Sequence, residues 1–219
     1  FTRIAFASDT GDRGAINGTG GTITFDNGVV ESMRYECVRI NSGSFVSRNS
    51  VFRDAAMGFG YYGGSGTYVY NGVVADCTIA CRASNKHFVN TVFYNCLTFL
   101  ESTSSSADHC AFYNPPDWGA QTATQVGKNG NIWGDPLFVD AANGDFRIRE
   151  GSPCVDVADS SAAPELDYFG QPRITFTGRT NDTELAGGPL ADIGICEVMP
   201  RDVTSDIDLV PEAVRMEKT

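Results

Sequence analysis

The chain has no apolar run that approaches the roughly 18 residues of a membrane-spanning helix, which excludes a helical membrane span. It is also poor in positive charge. There are 16 Lys and Arg against 27 Asp and Glu, and the net charge of −11 disfavours a nucleic-acid partner. Leucine is scarce, because the 219 residues contain seven Leu but 18 Val and 14 Phe, a balance that favours strands over helices. The first residue is Phe1, with no charged or apolar leader, so we expect a processed product or an excised portion.

The seven cysteines form no CxxC pair, and Cys77 and Cys81 have no matching pair of histidines. A zinc site is therefore disfavoured. Cys77, Cys96 and Cys110 each lie beside apolar residues that look interior, and a free cysteine behaves as a small hydrophobe. We expect a stack of buried thiols.

A degenerate repeat runs through residues 33–114. Its copies combine a small polar residue or Cys, an apolar pair and a polar turn, and they anchor at Asn49, Cys77, Asn90 and Cys110. The anchors are 28, 13 and 20 residues apart, which is too irregular for a leucine-rich repeat. Such variation suits a parallel β-helix, in which short strands stack regularly while the turns vary in length.

Stacking of these copies predicts one continuous core. A single rung cannot bury its apolar face alone, so its neighbours complete the core, and we expect Val51, Ile79, Val92 and Phe112 to point into it. Asn residues at the strand ends can turn a corner in the left-handed conformation and hydrogen-bond to the Asn of the next rung.

The last third of the chain carries three motifs in a fixed order. They are residues 135–156 (DPLFVD, then NGDFRI, then GSPCVD), residues 166–173 (LDYFGQPR) and residues 191–197 (ADIGICE). This series resembles the closing segment of secreted bacterial right-handed parallel β-helix repeat proteins of the choice-of-anchor type. The resemblance implies an all-β, right-handed parallel β-helix with irregular loops, located outside the cell or on its surface.

The resemblance also implies a division of the chain. We expect solenoid rungs in residues 1–134, a closing segment in residues 135–198 that caps the end of the solenoid, and a charged tail in residues 199–219. Cys154 and Cys196 lie in two of the closing motifs and could form a disulfide there, although the sequence does not fix the connectivity.

Aromatic residues in two predicted loops are the candidate binding residues. One loop, residues 59–70, is rich in Gly and Tyr, and two Trp residues bracket a second excursion over residues 115–134. Exposed rings on such loops can stack on a sugar or pack against a neighbouring chain, although the rings could also fold back onto the solenoid. The candidates are Tyr61, Tyr62, Tyr68, Tyr70, Trp118 and Trp133.

A catalytic alternative is a glycoside hydrolase built on Asp54, Asp76 and His109. Carboxylates on adjacent rungs would lie about 4.8 Å apart, close to the separation that glycosidic cleavage needs. However, Asp54 follows its anchor by five positions whereas Asp76 precedes its anchor by one. Turn residues are the simpler interpretation. A polysaccharide lyase would need a base beside carboxylates, often with calcium, and no signature of that kind occurs.

Asp140, Asn143 and Asp145 weakly resemble a Ca²⁺ loop, since oxygen ligands occur near a glycine. The bidentate Glu of an EF-hand is missing. A hairpin turn is the favoured interpretation, with Asn143 and Gly144 both supplying positive φ angles. We expect no other cofactor.

The sequence therefore favours a non-catalytic extracellular or cell-surface structural module that serves adhesion, glycan contact or assembly. Its expected partner is a glycan or a neighbouring protein chain, and self-assembly is an open possibility. The alternative is a polysaccharide lyase or glycoside hydrolase that acts on an acidic glycan.

Overall fold

The computed structural model of the protein describes residues 2–5, 14–82, 84–114, 124–173 and 190–199. It is a β-solenoid of about five turns, which confirms the predicted parallel β-helix. A single parallel sheet system contains twelve strands, and two further strands form an antiparallel hairpin. In the part of the chain that is described, no helix is long and apolar enough to cross a membrane.

The strands have the following bounds: β1 Thr2–Ala5, β2 Ile16–Asp26, β3 Gly28–Arg48, β4 Val51–Gly63, β5 Gly66–Tyr70, β6 Val73–Cys81, β7 Lys86–Val89, β8 Val92–Tyr94, β9 Thr98–Leu100, β10 Ser106–Asp108, β11 Ala111–Tyr113, β12 Ile132–Trp133, β13 Phe138–Asp140 and β14 Asp145–Ile148. One short 3-10 helix, Ala141–Asn143, joins β13 to β14.

The solenoid has three faces. The first face stacks β1, the beginnings of β3, β4 and β6, and then β8, β11 and β12. The second face stacks the later parts of β4 and β6 on β9. The third face stacks the ends of β2 and β3 on β5, β7 and β10. Every pairing within these faces is parallel.

Left-handed residues make the two corners that flank the first face. The corner before it, here the asparagine corner, has φ angles of 47–53° at Asn27, Asn49, Asn71, Asn90, His109 and Asn129. The corner after it, here the aspartate corner, has φ angles of 52–57° at Ser32, Asp54, Asp76, Asn95 and Asn114. Asn and Asp tolerate this conformation because their short side chains hydrogen-bond locally.

Side-chain hydrogen bonds along the asparagine corner confirm the predicted Asn ladder in part. Asn49 donates to Asn27 Oδ1 at 3.3 Å across 22 residues, and Asn90 donates to Asn71 Oδ1 at 3.1 Å across 19 residues. The repeat is thus more regular than the predicted anchors. Those anchors mixed positions, because Cys77 follows the aspartate corner whereas Asn49 and Asn90 lie on the asparagine corner.

The solenoid interior is a phenylalanine-rich core. Ring centroids lie 4.9 Å apart for Phe52 and Phe59, 5.3 Å for Phe59 and Phe88, and 5.0 Å for Phe88 and Phe93. All these rings are fully buried. Aromatic contacts of this kind stabilise a fold by about 0.5–1.5 kcal/mol per pair beyond burial of area.

A second core lies outside the first face, beneath the described parts of the closing segment, residues 138–173 and 190–198. Here the outward valines of the solenoid contact Phe146, Ile148, Val155 and Ile193. The prediction of one continuous core is therefore wrong for three of its four residues. Val51 and Val92 belong to this second core, and only Phe112 lies in the interior. Ile79 is only half-buried and belongs to neither core. The reason is strand alternation, since adjacent residues point to opposite sides of the sheet.

The closing segment consequently covers a flank of the solenoid rather than its end. It contacts successive rungs of the first face, at Val51, Val73, Val92 and Ala111. The C-terminal end of the interior is instead approached by the turn at residues 124–131, where Val126 packs against the interior core. The predicted end cap at residues 135–198 is wrong in its position.

Candidate functional site

The outer side of the third face carries aromatic side chains that are partly exposed. Tyr68 is 37% exposed, and its ring stacks on that of His87 with centroids 5.0 Å apart and an interplanar angle of 20°. His87 Nδ1 lies 2.9 Å from the hydroxyl oxygen of Ser106 on the next rung. These three residues follow one another in register, so the rungs build a short column across three strands.

A second column runs beside the first. The Arg48 guanidinium pairs with Asp26 at 3.4 Å and lies 5.9 Å from the centroid of the Tyr70 ring. The same pleat that sends Tyr68 and Tyr70 outward sends Val69 into the core. The two columns together form a surface with stacked rings, one exposed ion pair and hydroxyl groups. We call it the third-face surface.

The predicted binding residues are only partly brought together. Tyr68 and Tyr70 lie in strand β5 rather than in the predicted loop, and both belong to the third-face surface. Trp133 is 38% exposed and pairs in β12 with Phe112. It therefore lies on the first face and not on the third-face surface. The side chains of Tyr61 and Tyr62, and all of Trp118, lie outside the described residues.

His87 is a candidate that sequence reasoning missed. Its position opposite Tyr68 depends on the 19-residue spacing between these two rungs. The available signal was the likeness between Tyr68-Val69-Tyr70 and His87-Phe88-Val89, each with an apolar residue between two side chains of the outer surface.

The catalytic alternative does not form one group. Asp54 and Asp76 occupy adjacent rungs of the aspartate corner, so the alignment that the sequence seemed to oppose is present. Both carboxylates accept hydrogen bonds typical of turns, since Ser32 Oγ donates to Asp54 at 3.0 Å and Asn95 Nδ2 donates to Asp76 at 2.7 Å.

His109 lies on the other corner of the first face. A strand of the first face separates the two corners, a span of roughly 15 Å for about five residues. His109 Nδ1 lies 2.6 Å from Oδ1 of Asp108, the residue that immediately precedes it in the chain. The carboxylate pair therefore has no imidazole next to it, and the left-handed backbone explains the residue types at both corners.

The weak calcium loop is a hairpin turn. Asp140 accepts hydrogen bonds from the backbone N–H and the side-chain amide of Asn143, at 3.3 and 2.7 Å. Asp145 pairs with Arg147 at 2.6 Å. Strands β13 and β14 are antiparallel, which confirms the hairpin, but only Gly144 takes a left-handed φ, 82°, while Asn143 ends a 3-10 turn. No group of three or more metal-binding side chains occurs among the described residues.

All seven cysteines are buried free thiols. The expected burial is confirmed for Cys77, Cys96 and Cys110, which lie in the interior core. Only Cys77 and Cys96 stack, together with Cys37, because Cys110 follows the asparagine corner instead of the aspartate corner. The proposed disulfide between Cys154 and Cys196 is not present. The Ile148 N–H donates to Cys196 Sγ at 3.3 Å, and burial raises the pKa of Cys196 to about 12, so this thiol is a buried hydrophobe rather than a nucleophile.

Two of the closing motifs interlock through buried charges. Arg173 donates from Nη1 to Glu197 at 2.5 Å and from Nη2 to Asn49 Oδ1 on the asparagine corner at 2.9 Å. Glu197 N–H in turn donates to Asp167 at 3.0 Å. The motif residues therefore hold the closing segment to the solenoid. This structural role explains why these residue types occur in the motifs.

Asp192 completes this network. Its two carboxyl oxygens accept hydrogen bonds from the N–H groups of Asp156 at 2.8 Å and Val198 at 2.7 Å. Burial, together with the nearby Glu197 carboxylate, raises the pKa of Asp192 to about 8. The backbone carbonyl of Asp192 accepts from Asn71 at 3.1 Å, which adds a second link to the asparagine corner.

The chain thus combines a solenoid, a flank covered by a latched segment and an open face with stacked rings. No protein-family model, curated protein or solved structure matches it.

Proposed function

We propose that the protein is a non-catalytic extracellular or cell-surface structural module whose third-face surface contacts a glycan. The observation that supports this is the partly exposed stack of Tyr68 on His87, beside Tyr70 and Arg48 on the same face. Aromatic rings held by a rigid scaffold offer a large contact area at a low cost in side-chain entropy.

The placement of these side chains on successive rungs favours binding along a polymer over enclosure of a small substrate. Outward side chains on stacked rungs repeat at about 4.8 Å, so successive rungs can contact successive parts of an extended chain. The exposed hydroxyls of Ser106 and Thr24 and the ion pair of Arg48 with Asp26 provide hydrogen-bond donors and acceptors around the rings. Such a surface positions a ligand without supplying an acid and a base to it.

Binding to a panel of neutral and acidic polysaccharides tests the proposal, with affinity electrophoresis and titration calorimetry as readouts. We expect Tyr68→Ala and His87→Ala each to weaken retention by up to roughly tenfold, since a specific contact with an aromatic ring contributes about 0.5–1.5 kcal/mol. Tyr35→Ala is the matched control, because Tyr35 is 43% exposed and lies beside Arg34 rather than on the third face.

Retention that Tyr35→Ala reduces as much as Tyr68→Ala would contradict a specific site. Cleavage of any polysaccharide that is lost in Asp54→Asn or Asp76→Asn would replace the module by the enzyme. Concentration-dependent self-association that Tyr68→Ala abolishes, with no glycan retained, would assign the surface to a second copy of the chain.

A further inference from the structure

A cleft of about 270 Å³ lies between the first rungs of the first face and the β13–β14 hairpin. The solenoid contributes Arg3, Glu31 and Arg53 to its walls, and the closing segment contributes Asn143, Phe146 and Tyr168. It lies on the first face and shares no residue with the third-face surface. Its side chains differ from those of an ordinary apolar contact, because three of them are charged.

Arg53 is the central group of the cleft. Its side chain is only 16% exposed, and its guanidinium lies 5.6 Å from the centroid of the Phe146 ring. Nη1 donates to the Ala141 carbonyl at 3.3 Å, whereas Nε is 3.8 Å from Glu31 Oε2, which is too long for a hydrogen bond. Nε has no hydrogen-bond partner among the described residues.

The charges of the cleft do not balance. Arg3 and Arg53 both approach the single carboxylate of Glu31, and Arg3 forms the closer ion pair. Two guanidiniums therefore share one carboxylate, on a chain whose net charge is −11. A partly buried guanidinium is stabilised most by a carboxylate that can accept two of its N–H groups, and Glu31 does not do this for Arg53.

The residues that line the cleft restrict which ligand could supply a carboxylate to Arg53. Tyr168 is partly buried and lines the cleft with its ring, whereas the buried Phe146 ring is already faced by the Arg53 guanidinium. Gly144 lies against Arg53, since a Cβ there would be 2.9 Å from Nη1. Glycine suits this left-handed φ of 82° and adds no side chain beside the guanidinium. The chain therefore leaves space around the guanidinium rather than filling it with a side chain.

We propose that this cleft binds a small organic carboxylate with a ring-shaped body, of about the size of one sugar acid. The carboxylate would pair with Arg53 and Arg3, and the ring would lie against Tyr168. The proposal does not depend on the third-face surface, and the two can fail separately.

Titration of the full chain with glucuronate, followed by calorimetry and by NMR shifts, tests the proposal, with glucose as the neutral analogue and acetate as the carboxylate without a ring. We expect saturable glucuronate binding, at least tenfold weaker binding of acetate and no binding of glucose, by the usual size of charge-assisted and ring contacts. Arg53→Gln should weaken glucuronate binding by roughly tenfold or more.

Arg34→Gln is the matched control, because the Arg34 guanidinium also faces an aromatic ring, that of Tyr35, and lies outside both the cleft and the third-face surface. It should leave the glucuronate affinity unchanged. If Arg53→Gln lowers thermal stability, Arg3→Gln replaces it, because Arg3 is 73% exposed and an exposed ion pair contributes little to stability. Equal binding of glucose and glucuronate, an equal effect of Arg34→Gln, or no saturation by about 10 mM glucuronate would each overturn the proposal.

Discussion

The first and third faces have the same parallel geometry but opposite outer surfaces. Outward positions of the first face carry Val51, Val73 and Val92, all buried beneath the closing segment. The corresponding positions of the third face carry Tyr68 and His87, which remain partly exposed. A β-branched column can be covered without loss of hydrogen bonds, whereas a column with hydroxyl and imidazole groups is suited to water. The outer side chains therefore decide which flank of a solenoid receives a cover.

Breaking the buried ion pair of Arg173 with Glu197, which holds the closing segment to the covered flank, should have the largest effect on stability. We expect Arg173→Met to lower the free energy of unfolding by about 3–5 kcal/mol, because the Glu197 carboxylate would remain buried without the compensating charge of Arg173. Urea denaturation monitored by circular dichroism measures this. Arg48→Met, which breaks an exposed ion pair on the third face, should cost less than about 1 kcal/mol. Equal losses in the two variants would show that the cover is not held by this network.

A smaller loss of stability should follow from truncating one of the buried valines on the covered face. Val92→Ala leaves a cavity between the solenoid and the closing segment, and we expect a loss of about 1–3 kcal/mol in the free energy of unfolding. Val46→Ala on the third face, where the valine is only half-buried, should cost clearly less in the same urea titration. A loss for Val46→Ala as large as that for Val92→Ala would mean that the third face is covered too.

The smallest effect should come from the open face. Tyr68→Ala should change the free energy of unfolding by no more than about 0.5 kcal/mol, as for most exposed substitutions, even though it removes the stack on His87. Thermal and urea unfolding of the purified variant measure this change. A loss above about 2 kcal/mol would indicate that the ring serves as core cover rather than as a contact surface.

The solenoid itself could be predicted because Asn and Asp turns and apolar pairs are local signals. The direction in which the valines point could not be predicted. In Val51-Phe52 and Val92-Phe93 the inward and the outward residue are both apolar, so the sequence does not show which of them faces the interior. For the same reason the closing segment was placed at the end instead of on the flank. Tyr68 and Tyr70 were identified from composition, but His87 required the register between rungs, which the irregular anchors concealed.

The spacing of the corner hydrogen bonds has a consequence for the order of folding. Bonds between rungs connect residues 19 or 22 apart, whereas the bonds from Asn49 and Asn71 to the closing segment span 117 and 121 residues. Loop-closure entropy rises with the logarithm of length, so each of these long closures costs roughly 1.5 kcal/mol more than a rung when it forms in an unfolded chain. Once the rungs have stacked, the flexible chain that remains to be closed is shorter, and the entropy cost of each long closure falls. We therefore expect the rungs to propagate first, so that the valine column is among the last parts of the chain to leave water.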